Sequence, residues 1–269
     1  MTNSYDLSAG AKRLEKVEAS PIRTILDRAA VLRSEGKPVI PFSAGEPDFN
    51  TPTDIKEATI RAITNNQTKY TSNRGYPALR KVLKEYIQRE TGMEYDPETE
   101  ILVTSSAAEA LNNTIMSFVD DGDEVIVLTP AFISYKCLVN LCGAKYIDIP
   151  MDPENGFQVD VEAIKAAVTD KTKMLILNNP SNPTGAVFSK ENLAEICKLA
   201  VERNFLVLAD EIYSRLVYDG AEFHSVASFP GMRDRAIVIS GFSKTFAMTG
   251  WRGGYIATDA KPAGPGREA

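Results

Sequence analysis

Seven short runs of apolar, largely β-branched residues recur along the chain: EILVT (100–104), EVIVL (124–128), KYIDIP (145–150), KMLILN (173–178), FLVLAD (205–210), AIVISG (236–241) and GYIAT (254–258). Most are separated by segments of helical period, such as AAEALNNTIMSFV (107–119), FISYKCLVNLCG (132–143) and KENLAEICKLAVERN (190–204). Parallel strands need crossover connections, so this alternation calls for a mostly parallel sheet with helices on both faces. Near-continuous apolar strands fit burial on both sides. The expected fold is therefore α/β: a three-layer α/β/α arrangement around a mostly parallel, seven-stranded sheet. The spacing between 236–241 and 254–258 is too short for a crossover helix, which makes that last pair a candidate antiparallel one.

Outside these runs the chain behaves differently. Residues 1–45 offer one helical segment, PIRTILDRAAVLRSEG (21–36), with Gly36 as its C-cap, and then the extended VIPFSAGEPDF. This reads as an N-terminal arm. After Thr258 the sequence DAKPAGPGREA (259–269) has no periodicity and reads as a Pro/Gly-rich tail.

Charge and composition narrow the function. The chain has 30 Lys plus Arg against 36 Asp plus Glu, a net charge of -6, without a basic run. That argues against a nucleic-acid or membrane-surface partner. No stretch approaches the roughly 18 apolar residues of a membrane span, and the N-terminus lacks a secretory h-region. Cys137, Cys142 and Cys197 lack CxxC spacing and read as reduced thiols of a cytoplasmic protein. With His224 as the single histidine, zinc-finger, His-based triad and imidazole-shuttle chemistries are nearly excluded.

In open α/β sheets ligands sit beyond the carboxyl ends of the strands. Three strands deliver polar residues there. KMLILN leads into NPSNPTG, with Asn182; FLVLAD ends in Asp210, followed by Tyr213; AIVISG is followed by Phe242, Ser243, Lys244 and then Arg252. Taken singly, each has an ordinary explanation as a cap, a turn or a solvated lysine. Together, a carboxylate, an amide, a phenol and a lysine at one sheet edge make a candidate site. Pyridoxal 5'-phosphate (PLP) uses this set economically: a lysine for the Schiff base, a carboxylate for the pyridine nitrogen, a phenol and an amide for the ring oxygen, and an arginine with a helix N-terminus for the phosphate.

The run SGFSKTFAMTGWRGG (240–254), with NNPSNPTG (178–185), ADEIY (209–213), KYTSNRGYPALR (69–80) and SAGEPDFNTP (43–52), resembles the PLP-dependent aminotransferases of class I/II, fold type I. The resemblance runs from about Leu14 to Thr258. It implies an enzyme that moves an amino group between an amino acid and a 2-oxo acid through a Schiff base on Lys244. By motif, Lys244 would also move the proton, Asp210 would pair with the pyridinium, and Asn182 and Tyr213 would bind the ring oxygen. Arg252 and the backbone N–H groups of Ala107 and Ala108 would hold the phosphate, with Phe132 stacked on the ring and Ser243 also binding the cofactor. Tyr70 would reach the phosphate of a second subunit in a homodimer, and Gly45 would lie with Asn182 near the substrate carboxylate.

The resemblance also assigns 46–258 to a PLP-binding large domain and 1–45 to an arm contributing to a small domain, with 259–269 a tail in place of the family's C-terminal small domain. Apolar surface of the arm is then expected to be exposed. Two local departures accompany this. The phosphate turn usually contains glycine but here reads TSSAAEAL (104–111), so Ser106 would add a hydroxyl donor only if its φ is negative. Gly253 replaces an apolar residue after the arginine, which predicts looser packing behind Arg252. A lyase or synthase of the same fold would use the same cofactor residues, and a non-catalytic PLP-fold module would keep them. A nicotinamide-dependent oxidoreductase would need a Gly-rich first βα turn, which is missing.

Overall fold

The computed structural model describes residues 10–17, 21–40, 42 and 45–260. All seven expected strands form: β1 (Ile101–Thr104), β2 (Glu124–Thr129), β3 (Lys145–Pro150), β4 (Thr172–Asn178), β5 (Leu206–Asp210), β6 (Ala236–Gly241) and β7 (Gly254–Thr258). They make one sheet in the order β1-β7-β6-β5-β4-β2-β3. Pairings among β2 to β6 are parallel, whereas β7 runs antiparallel to both β6 and β1. The short connection before β7 thus reverses the chain, as its length requires.

The helices are α1 (Pro21–Ser34), α2 (Thr53–Thr64), α3 (Pro77–Thr91), α4 (Ala107–Phe118), α5 (Ile133–Leu141), α6 (Val161–Ala167), α7 (Lys190–Arg203) and the single turn α8 (Phe242–Thr245), of which α3 to α7 cover the two faces of the sheet. Their ends follow local chemistry. Pro77 opens α3 and left-handed Gly92 closes it; Ser189 Oγ accepts the Asn192 N–H at the start of α7. Alternate strand residues feed two cores. Val125, Val127, Ile176, Leu208 and Ile239 pack under Leu111 and Ile115 of α4 and Val139 of α5. Ile126, Leu128, Leu175, Val207 and Val238 pack on the other face with Leu193 and Ile196 of α7 and Leu83 and Ile87 of α3. Both faces of the central strands are thereby dry, as their unbroken apolar sequence demands.

The registers decide where chemistry can gather. Asn178 pairs with Asp210, and Asp210 with Ile239, so β4 and β5 end level while β6 runs two residues further along the same edge. Gly254 pairs with both Thr104 and Gly241. Because β7 is antiparallel, its first residue lies at the edge where the other strands end, and Arg252 arrives beside the β1–α4 turn and α8.

Before the sheet, Gly36 takes φ +76 just after α1, the expected C-cap geometry. Apolar residues of this region are exposed, among them Ile25, Ile40 and Phe42, the last at 93%. A short 3-10 turn (Lys12–Lys16) lies against α5, where the Asn140 side-chain amide donates to the Lys16 carbonyl at 3.0 Å. Of the expected tail, residues 261–269 lie outside the described residues.

Candidate cofactor site

A cavity opens at the carboxyl edge of the sheet between the N-termini of α4 and α5. Its lining includes Ser106, Ala107, Ala108, Phe132, Asn182, Asp210, Tyr213, Ser243, Lys244 and Arg252. Ten of the twelve residues singled out from sequence therefore meet in one place. Gly45 touches it from outside, through its carbonyl, which accepts from Lys244 Nζ at 2.6 Å. Tyr70 is fully exposed and does not line the cavity.

Asp210 ends β5 and is buried. Its Oδ2 accepts from Tyr135 Oη at 2.7 Å and its Oδ1 from the Ile212 N–H at 3.3 Å. Burial pushes its carboxyl up to about 6, against the opposing pull of those two hydrogen bonds. A buried acid at this value gains most from a cationic partner, because a nearby positive charge would restore the carboxylate.

Beside it an amide network fixes the neighbouring donors. Asn178 Nδ2 donates to the Asp210 carbonyl at 3.0 Å, while Asn178 Oδ1 accepts the Asn182 N–H at 2.6 Å. Asn182 Nδ2 then donates to Tyr213 Oη at 3.2 Å. Burial raises the Tyr213 phenol and the Asp210 charge raises it further, while the Asn182 bond lowers it. At neutral pH Tyr213 keeps its proton and can donate to an anionic oxygen.

Lys244 is half-buried in α8, with Nζ 5.7 Å from the centre of the Tyr213 ring. Burial lowers its ammonium below the ordinary lysine value, and the Glu46 carboxylate partly opposes this. A lowered amine reaches its nucleophilic neutral form more readily. At the other end, the first intrahelical bond of α4 runs from the Ala110 N–H to the Ser106 carbonyl at 3.2 Å, and Ser106 makes no side-chain cap bond. The N–H groups of Ala107 and Ala108 precede that bond and line the cavity, a ready anion seat. Arg252 adds positive charge there, its Nη1 donating to the Thr249 carbonyl at 2.8 Å. Phe132 stands at the start of α5 with its ring edge-on to Tyr135, centroids 5.7 Å apart.

Two expectations need correction. Ser106 has φ +102 and ψ 162, so the condition under which its hydroxyl would serve the phosphate is not met. Its backbone adopts the glycine-type conformation that the turn demands, with serine in place. Packing behind Arg252 is not loose either. A Cβ on Gly253 would stand 2.5 Å from Phe242 Cδ2, so the Phe242 ring fills the space a larger residue would take.

Sequence reading missed Tyr135 and Asn178, which hold Asp210, and Glu46, which faces Lys244. Tyr135 could have been found from its place one helical turn after Phe132 on the face of α5 that meets the sheet. Asn178 could have been noticed as the polar residue that ends the apolar run of KMLILN.

The arrangement has the donors PLP requires: an amine of lowered pKa, a buried carboxylate, a phenol–amide pair and an anion seat. Comparison with known proteins agrees. The profile of the family described as aminotransferase class I and II matches residues 37–263. An aspartate aminotransferase of Pyrococcus abyssi is 44% identical over 249 residues, covering 93% of this chain and 63% of the relative. An aspartate/prephenate aminotransferase of Thermus thermophilus is 40% identical, over 91% and 63%. The solved structure of aspartate aminotransferase from Thermus thermophilus with maleate superposes with a TM-score of 0.90 at 39% identity, covering 94% of this chain and 65% of that one. This chain thus spans a little under two thirds of the length of these relatives. It belongs to the class I and II aminotransferases, a PLP-dependent family.

Proposed function

We propose that this protein is a PLP-dependent aminotransferase that moves an amino group between an amino acid and a 2-oxo acid. The observation that carries the reading is the convergence of Lys244, Asp210, the Asn182–Tyr213 pair and Arg252 on one cavity. Bound PLP would supply an electron sink for a carbanion at the substrate's α-carbon. Lys244 would hold the cofactor covalently and, once freed, would be the base that moves the substrate's α-proton. Asp210 would keep a cationic ring nitrogen charged, with its carboxylate held by the Tyr135 hydroxyl. Tyr213 and Asn182 donate to the ring oxygen and so set the basicity of the group attached to Lys244. The N–H groups of Ala107 and Ala108, with Ser243 and Arg252, bind the phosphate, while Phe132 covers the ring.

Residues 46–258 form the cofactor-binding domain and 1–45 an arm that contributes to a smaller one. The protein acts in amino-acid metabolism as a homodimer, a reading that the exposure of Tyr70 supports, since the phenol would act in trans. Gly45 lies close to the substrate carboxylate, consistent with its contact with Lys244. A cytoplasmic location is supported by the three free thiols. Among the described residues no helix is long and apolar enough to cross a membrane.

The test is the half-reaction. Protein loaded with PLP is mixed with aspartate or glutamate alone, because the relatives above are named for aspartate. Loss of the visible band of the bound aldehyde form, restored by the matching 2-oxo acid, is expected. A band that amino acids leave unchanged would contradict the reading.

A further inference from the structure

We propose that residues 45–51 form a clasp over the loop between Lys244 and Arg252, that Thr51 is its pivot, and that the clasp positions both side chains for the cofactor. The proposal rests on the reading of Lys244 and Arg252 as cofactor-holding groups. Between α8 and β7 the chain makes only one 3-10 turn (Thr249–Trp251), and two non-glycine residues there are left-handed, Ala247 at φ +50 and Arg252 at φ +59. Such conformations persist where surrounding contacts over-determine them. Here the contacts come from 196 to 203 residues earlier in the sequence.

Thr51 is the centre of them. Its Oγ1 donates to the Ala247 carbonyl at 2.5 Å and accepts the indole Nε1–H of Trp251 at 3.0 Å. One hydroxyl thus uses its proton on the first left-handed residue and a lone pair on the residue before the second. Two further bonds follow the same seam. Thr249 Oγ1 donates to Glu46 Oε2 at 3.2 Å, and Lys244 Nζ donates to the Gly45 carbonyl at 2.6 Å. Arg252 is tied into the same loop through the Thr249 carbonyl. Thr51 itself is anchored, since the next residue, Pro52, is the N-cap of α2. None of the clasp side chains lines the cofactor cavity, so Thr51 and Trp251 are positioning residues that act through Lys244 and Arg252.

Three single variants and one double variant test this. Thr51→Val keeps the side-chain shape without the hydroxyl, Trp251→Phe removes the N–H, and Thr51→Ser retains the hydroxyl. PLP dissociation constants come from absorbance titration, and thermal unfolding of the PLP-free proteins reports whether each variant is folded. Thr51→Val and Trp251→Phe are each expected to weaken PLP roughly five- to tenfold, the loss of one or two hydrogen bonds, with Thr51→Ser within about twofold of wild type. The Thr51→Val/Trp251→Phe double variant should bind no more weakly than Thr51→Val, because both changes cut the same bond. If Thr51→Val does not fold, Trp251→Phe and Thr51→Ser carry the comparison. Wild-type binding with unaltered affinity in Thr51→Val or Trp251→Phe would overturn the clasp alone. Absence of PLP binding by wild type would overturn the cofactor reading and the clasp with it.

Discussion

Ser106→Gly should stabilise the protein, and its magnitude follows from one pair of angles. Ser106 sits at φ +102, ψ 162, a region populated almost solely by glycine. Holding a residue with a Cβ there costs about 1–3 kcal/mol. Glycine's extra freedom in the unfolded chain takes back roughly 0.5–1 kcal/mol. No cap is lost, because the Ser106 side chain makes no cap bond at the start of α4. The net gain is about 1 kcal/mol, which for a chain of this size raises the unfolding midpoint by roughly 2–4 °C. Thermal unfolding of the PLP-free protein, with urea midpoints alongside, measures it. Ser106→Ala is the decisive control, since alanine keeps the Cβ and should give no such gain. An unchanged or lower midpoint in Ser106→Gly, or an equal gain in Ser106→Ala, would refute the argument from backbone strain.

Three more outcomes follow from the same edge of the sheet. A Cβ on Gly254 would stand 2.4 Å from the Ser106 carbonyl carbon and 2.5 Å from the Ala107 nitrogen, both backbone atoms that cannot swing away. Gly254→Ala should therefore cost roughly 3 kcal/mol in urea unfolding; a loss below about 1 kcal/mol would show that β7 and the turn can separate freely. Tyr135→Phe removes a hydrogen bond that lowers the Asp210 pKa, so the carboxyl should titrate above about 6 in the PLP-free protein. PLP affinity should fall roughly tenfold, the worth of a bond to a charged acceptor; unchanged affinity in a binding titration would remove Tyr135 from the site. Glu211, buried beside Asp210, is pushed by burial up to about 8, despite accepting from Ser225 Oγ and the Val226 N–H. Its folded pKa lies above its unfolded value, so its contribution is full at low pH and is lost as pH rises from about 4.5 through about 8. Relative to Glu211→Gln, wild type should lose stability on the order of 4 kcal/mol across that window and level off above it, and a pH-independent difference would contradict the assignment.

Much of this fold was legible because its signals are local. Unbroken apolar runs bounded by helical periods give strands and crossovers, and the short gap before GYIAT marks the antiparallel strand. The residues Asn182, Asp210, Tyr213 and Lys244 could be placed together from topology alone, since each stands at or just after the carboxyl end of a strand. Other features depend on pairings that no local pattern records. The bond from Tyr135 to Asp210 joins a helix face to a strand end 75 residues away. The Thr51–Trp251 bond spans 200 residues. Ser106 is a different case. Serine is ordinary before a helix, and no local pattern announces the glycine-like backbone that Ser106 takes where Gly254 comes close. Gly253 misled in the opposite sense, since its missing side chain is replaced by the Phe242 ring from α8.

On the proposed function, Lys244 is the amine around which this site is built. Purified protein with added PLP, treated with borohydride and digested, should yield one peptide carrying the reduced pyridoxyl group on Lys244. Its visible band should vanish on reduction and be absent from Lys244→Ala. Label distributed over surface lysines, or a band that survives in Lys244→Ala, would contradict the account.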